Sequence, residues 1–165
     1  MRYILFITSV ILLASCNNNQ QSEKIQQLEA KIDSLQIKLD STYKPGFGEF
    51  MRGVQLHHAK LWFAGINQNW PLAKFELDEI REALTDIQKY DTDRPETTVI
   101  PMINEAMDSI TNVVKQQNVK QFRNAYSLLT STCNDCHVAT QHEYNVIKIP
   151  TTTPIGNQSY EPVKQ

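Results

Sequence analysis

Apolar residues recur every three or four positions over most of the chain, a spacing that places them on one side of a helix. Four such segments follow one another from Gly48 onward, and no strand-like alternation competes with them. We therefore predict an all-α fold, an antiparallel four-helix bundle joined by short loops. The inward positions are Met51, Val54, His58, Leu61 and Gly65, then Ala73, Leu77, Ile80, Leu84 and Ile87, then Ile103, Ala106, Ile110 and Val113, and finally Phe122, Ala125, Leu129, Cys133 and Cys136.

Helix-starting and helix-breaking residues separate these segments. Pro71 suits the first turn of the second predicted helix, and Pro101 that of the third, after a predicted loop over residues 90–98. Asn118 is the predicted N-cap of the fourth helix. Prolines near the end predict an extended tail over residues 146–165, after a bundle domain over residues 45–145.

A shorter heptad pattern precedes the bundle. It occupies residues 16–44, which are predicted to form a flexible polar tether at residues 17–22 and then a coiled-coil-like stalk. Lys24 and Glu29 fall at flanking positions where they could pair between two strands, which favours a parallel homodimer. The alternative is an amphipathic helix that lies on its own domain. The apolar positions are Ile25, Leu28, Ile32, Leu35 and Leu39.

The first residues have the features of an export signal. Arg2 precedes an apolar run at residues 3–14, which is too short to span a bilayer but long enough for the core of a secretory signal. The run ends in Leu-Ala-Ser-Cys16, which resembles a bacterial lipobox. The resemblance implies a lipoprotein signal peptide over residues 1–15, acylation of Cys16 and anchoring of the exported chain to a membrane of the cell envelope, facing the periplasm. The alternative is an ordinary cleaved signal with an incidental cysteine.

Composition narrows the class of partner. Glycine is scarce, with 5 residues in 165, as a helical chain requires. The formal net charge of −2 gives no indication of the basic face that nucleic-acid binding needs. We therefore expect no nucleic-acid partner.

The fourth predicted helix carries a Cys-x-x-Cys-His motif, the attachment signature of c-type haem. Within one helical turn, the thiols of Cys133 and Cys136 can reach the two vinyl groups of one porphyrin, and His137 can place its imidazole under the iron. The motif predicts one covalent haem c with His137 as the proximal ligand. Two alternatives are a redox Cys-x-x-Cys, which normally begins a helix in a βαβ setting, and a zinc site that would have to recruit His142 or His57.

The chain at this point resembles the cytochrome c′ family, including its low-spin, methionine-ligated members. The likeness covers residues 47–142 and rests on four helices, the motif late in the fourth, and a first helix that begins Gly-Glu-Phe-Met51. It implies that Cys133 and Cys136 bind the haem and that His137 ligates its iron. It also implies a methionine near the start of the first helix as the sixth ligand.

Three alternatives exist for the sixth coordination position of the iron, two of them side-chain ligands and one an open site. Met51 is level with the motif if the first and fourth helices are antiparallel, and a thioether ligand would raise the potential and close the iron to gases. His58 shares the stripe but lies about 10 Å further along the helix. The third alternative is an open site covered by Phe47 or Phe50. His57 is expected to be solvated, His142 to be out of reach of the iron on the same helix as His137, and Tyr126 to be a packing residue or a propionate contact.

These features favour an electron carrier over an enzyme. The predicted protein is a membrane-anchored monohaem cytochrome that exchanges electrons with a redox partner protein. The alternative is a five-coordinate gas-binding or sensing protein. A peroxidase-like enzyme would need a distal Arg–His pair, for which the sequence offers no clear candidate.

Overall fold

The computed structural model describes the backbone of residues 2–42 and 45–163, and the side chains of residues 20–41 and 45–163. All regular secondary structure in these ranges is helical, which confirms the predicted all-α class. The chain divides into two compact units, Met1–Lys44 and Pro45–Gln165. The helices are α1 (Arg2–Thr42), α2 (Phe47–Ile66), α3 (Trp70–Tyr90), a 3₁₀ helix (Pro95–Ile103), α4 (Asn104–Lys115) and α5 (Val119–Ala139).

The described residues of the first unit form α1. Residues 17–22 belong to this helix, whereas the sequence predicted a flexible tether there. Helix elongation is cooperative, so a polar run continues a helix that is already formed on either side. The heptad residues of the predicted stalk are exposed, from 50% for Ile25 to 63% for Ile32. The side chain of Cys16, like those of the predicted signal peptide, lies outside the described residues. None of the helices in the described part of the chain is both long and apolar enough to cross a bilayer.

The second unit buries the predicted inward stripes in one core. Helix α2 packs against α3 and α5, and α4 packs against the same two helices. All five inward positions predicted for α3 are buried. Near the end of α4, Val114 is buried, whereas the predicted Val113 is only partly buried. A Cβ atom on Gly65 would lie 2.1 Å from the Phe122 ring, so only glycine allows α2 to approach that ring so closely.

The helix termini follow the predicted capping chemistry in two of three places. The Asn118 side chain accepts a hydrogen bond from the Gln121 N–H at 3.1 Å and caps α5, as predicted. Pro71 lies in the first turn of α3, also as predicted. The prediction for the third helix was wrong, because Pro101 lies inside the 3₁₀ helix and α4 begins only at Asn104. The 3₁₀ helix also includes Pro95, so it replaces part of the predicted loop 90–98.

The tail after α5 contains no helix as far as residue 163, and bends and a turn lie between residues 151 and 157. Tyr160 is nevertheless buried, with its ring 5.6 Å from that of Phe63. Asn69 Nδ2 donates a hydrogen bond to the carbonyl of Glu161 at 3.2 Å. The tail is therefore packed against the helical core.

Candidate functional site

The second unit contains a cavity of about 340 Å³. Its wall is formed by the first half of α2, the end of α3, the 3₁₀ helix, the end of α5 and the beginning of the tail. The volume lies within the range of about 300–1,000 Å³ that small-molecule and cofactor sites occupy. Every candidate iron ligand and attachment residue predicted from the sequence lines it, namely Met51, His58, Cys133, Cys136 and His137.

Apolar atoms form most of the exposed surface of the cavity, and six apolar side chains of the helices contribute to it. The side chains come from three different helices, so the cavity is a product of the tertiary fold. An apolar lining of this kind suits a largely apolar ligand. The residues are Phe47, Val54, Leu84, Val99, Ile100 and Ile103.

Cys133 and Cys136 are free thiols within one turn of α5, and both are half-buried. Burial raises the pKa of the Cys133 thiol to about 12 and raises that of Cys136 as well, to which the nearby charge of Asp135 adds. A thiol–disulfide redox centre works through a thiolate of lowered pKa. The environment of these two thiols therefore argues against the redox Cys-x-x-Cys alternative.

The His137 imidazole is oriented by the tail. Its Nδ1 lies 2.5 Å from the carbonyl oxygen of Asn145. Because a carbonyl can only accept, Nδ1 carries the proton and donates it to this bond. In the neutral imidazole this leaves the lone pair on the other nitrogen, Nε2, which is the state in which histidine binds a metal.

His58 is buried between two polar side chains of α5. Its Nδ1 lies 2.9 Å from the Tyr126 hydroxyl and its Nε2 lies 3.0 Å from the Thr130 hydroxyl. The side chain is 3% exposed, and burial lowers the pKa of the imidazole to about 4, so it is neutral at physiological pH. Both nitrogens thus have hydrogen-bond partners. Tyr126 is fully buried and does not line the cavity, which makes it a packing residue and a partner of His58.

Met51 and Phe47 both lie in the cavity wall near the start of α2, whereas Phe50 does not line the cavity. Met51 is half-buried and packs against the hydrophobic core. The start of α2 therefore presents one candidate ligand and one bulky apolar side chain to the cavity.

The predictions that His57 is solvated and that His142 lies on the same helix as His137 were wrong, whereas the prediction that His142 does not reach the iron stays a prediction. His57 is 20% exposed rather than solvated, because its Nδ1 lies 2.6 Å from the fully buried carboxylate of Glu76, which Lys60 also contacts at 2.8 Å. His142 does not continue α5, since that helix ends at Ala139; it follows a turn and lines the cavity.

Sequence reasoning missed the charged residues of the cavity wall. Arg52 and Arg94 line it, together with Glu96, which accepts a hydrogen bond from Arg94 at 2.9 Å. A backbone hydrogen bond at Glu96 holds the pKa of this carboxyl below its usual value, and the adjacent positive charge of Arg94 lowers it further. Guanidinium groups are suitable donors to the carboxylates of a ligand. No local motif marks these residues, because they approach Cys133 and His137 only through the tertiary fold.

No group of three or more His, Cys, Asp or Glu side chains that could hold a metal ion occurs in the described part of the chain, which gives the zinc alternative no support. No family model matches this chain, and no curated protein or solved structure is significantly similar to it. Any statement of function therefore depends on the motif and the geometry of the cavity.

Proposed function

We propose that this protein is a monohaem c-type cytochrome that transfers electrons. The observation that carries the proposal is the convergence of Cys133, Cys136 and His137 on one cofactor-sized, largely apolar cavity that Met51 also lines. The two thiols would form thioether bonds to the haem, and Nε2 of His137 would ligate its iron.

The proposal includes an antiparallel four-helix bundle of the cytochrome c′ kind. Helix α2 packs on α5, and the cavity wall combines the start of α2 with the end of α5. Two packed helices that met in this way would run in opposite directions, which supports the bundle. In such a bundle Met51 would face the attachment motif across the cavity.

The residues present fit a haem. When bound, haem supplies a reversible one-electron iron couple. The apolar side chains around the cavity would exclude water from the haem faces, and the guanidinium groups of Arg52 and Arg94 would donate hydrogen bonds to its propionates. Rigid helices would hold the His137 imidazole in one place, so that little rearrangement accompanies electron transfer.

Met51 is the better candidate for the sixth ligand. Binding of His58 to iron would require the loss of its hydrogen bond to Tyr126 or to Thr130. The Tyr126 and Thr130 hydroxyls would keep their backbone acceptors, the carbonyls of His58 at 2.8 Å and of Tyr126 at 2.9 Å. The lost hydrogen bond would therefore cost about 0.5–1.5 kcal/mol, a cost that Met51 does not incur. The alternative, a five-coordinate gas-binding or sensing protein, is favoured by Phe47, which lines the cavity and could cover an open position.

The N-terminal unit would give the cytochrome its location. A lipobox-type cleavage would leave Cys16 acylated and the chain exported, anchored to a membrane of the cell envelope. Helix α1 presents an exposed apolar stripe that includes Ile25 and Ile32, which supports pairing of two chains into a parallel homodimer. A membrane-confined carrier would then meet its redox partner protein on one surface.

The decisive experiment is production of the protein in a host with haem-attachment machinery. The expected product is coloured, gains the mass of one haem that denaturation does not remove, and shows a cytochrome spectrum on reduction. Cys133→Ala together with Cys136→Ala should abolish the covalent attachment, whereas Ser131→Ala, an exposed change two residues before Cys133, should leave it intact. A colourless wild-type product of unmodified mass from a host that loads a control cytochrome would refute the proposal.

A further inference from the structure

The first variable residue of the attachment motif, Asn134, makes a paired contact with the tail. Its Oδ1 accepts a hydrogen bond from the Ile147 N–H at 2.8 Å, and its Nδ2 donates one to the Ile147 carbonyl at 3.0 Å. One amide side chain thus occupies both backbone polar groups of a residue 13 positions further along the chain. This contact fixes the tail against the last turns of α5.

The same stretch of tail supplies the hydrogen-bond acceptor for His137. The Asn145 carbonyl, two residues before Ile147, lies 2.5 Å from His137 Nδ1. The Asn145 N–H donates in turn to the carbonyl of His142 at 2.9 Å, which closes the turn between α5 and the tail. Asn145 and Ile147 both line the cavity. The tail is therefore held on both sides of the atom that contacts the imidazole.

We propose that Asn134 is a positioning residue that, by binding Ile147, holds the Asn145 carbonyl against Nδ1 of His137. This inference rests on the proposed haem-binding function. A fixed acceptor at Nδ1 keeps the proton on that nitrogen, directs the Nε2 lone pair to one place and makes the imidazole a stronger electron donor. The stronger donor favours the oxidised iron, so the contact lowers the reduction potential of the haem.

Two variants test the contact from opposite sides. Asn134→Ala removes both hydrogen bonds to the Ile147 backbone, and Ile147→Pro removes the N–H that donates to Asn134 Oδ1. Ser131→Ala is the matched control, since Ser131 is exposed and its hydroxyl bonds only within its own helix, to the Leu128 carbonyl. Circular dichroism establishes that each variant retains the helical content of the wild type.

Three measurements on the full chain give the outcome. In Asn134→Ala, hydrogen exchange at the Ile147 amide should accelerate several-fold. In both variants, nitrogen NMR of His137 should report loss of the single Nδ1–H tautomer in haem-free protein. The ratio of reduced to oxidised haem, at the midpoint potential of the wild type, should rise several-fold in both variants and remain unchanged in Ser131→Ala.

The results separate this inference from the proposed function. If the protein never acquires haem, the proposed function fails, while the exchange and tautomer measurements still decide whether Asn134 positions the imidazole. Unchanged exchange at Ile147 in Asn134→Ala would show that the contact is absent. Accelerated exchange with an unchanged tautomer, or with an unchanged haem ratio in loaded protein, would show that the contact does not act on His137. Any of these three results overturns the proposal.

Discussion

The buried histidine on α2 gives a pH dependence that can be calculated from the structure. Burial lowers the pKa of His58 from 6.5 to about 4, whereas in the unfolded chain the imidazole returns to its ordinary value. Between these two values the unfolded chain binds a proton that the folded protein does not. The stability due to neutral His58 is therefore fully present above about pH 6.5 and is lost as the pH falls toward about 4.

The magnitude follows from the difference between the two pKa values. At 1.36 kcal/mol for each pH unit, the free energy of unfolding should fall by about 3 kcal/mol once the loss is complete. About 2 kcal/mol of that loss should occur between about pH 7 and about pH 5. Since the side chain is 3% exposed, solvent screening should reduce this value little.

The assay is urea unfolding followed by circular dichroism at a series of pH values, for the wild type and for His58→Gln. A glutamine amide can occupy the same position between Tyr126 and Thr130 but does not titrate. The difference between the two stability curves therefore isolates His58 from the other titrating groups. It should be flat above about pH 7 and fall by about 2 kcal/mol by about pH 5.

A flat difference curve would refute the reasoning, because it would mean that His58 is not forced to stay neutral by burial. The absorption spectrum of the haem-loaded variant then gives the reason. A changed spectrum in His58→Gln would identify His58 as an iron ligand and would remove Met51 from that role. An unchanged spectrum would mean that His58 is accessible to water, contrary to the structure.

Three further predictions concern the ligand, the core and the stalk. Carbon monoxide should hardly change the spectrum of the reduced wild type but should bind at once to reduced Met51→Ala. The control Met102→Ala, which alters an exposed methionine, should behave like the wild type. Rapid binding of carbon monoxide to the wild type would instead favour the five-coordinate alternative. Gly65→Ala should lower the free energy of unfolding by about 1–3 kcal/mol, because the new Cβ would lie 2.1 Å from an aromatic ring of α5. Gly53→Ala, which meets no atom within 4 Å, should raise it by up to about 1 kcal/mol, and equal effects of the two changes in urea unfolding would contradict the packing argument. Deletion of residues 23–41 should lower the oligomeric state in analytical ultracentrifugation, and an unchanged state would exclude the coiled coil.

The features that the sequence predicted correctly depend on contacts close in the chain. The cap at Asn118 involves a residue three positions away, and the stripe on α3 repeats every three or four residues. Such periodicity predicts which side of a helix is buried, whatever it packs against. It also placed Cys133 and Cys136 correctly on one side of α5.

The features that were missed depend on contacts distant in the chain. The prediction that His57 is solvated was wrong because the side chain of Glu76, 19 residues later in the chain, is buried beside it. The pattern around Pro101 predicts the start of an α-helix, whereas a tighter 3₁₀ helix begins earlier, at Pro95, and includes Pro101. In both cases the sequence gives a pattern compatible with two local structures, and tertiary packing selects one.

The same distinction applies to the proposed function. Haem attachment needs only the residues of one turn of α5, so it could be inferred from a motif and should tolerate most changes elsewhere. In the proposed cytochrome, the potential and the sixth ligand would depend on what α2, the 3₁₀ helix and the tail bring to the cavity, through Met51, Arg94 and the Asn145 carbonyl. Such a cytochrome would keep its haem while its redox properties change, because the two would depend on different parts of the chain. Variants in the tail should separate these properties, leaving the haem covalently attached while shifting its potential.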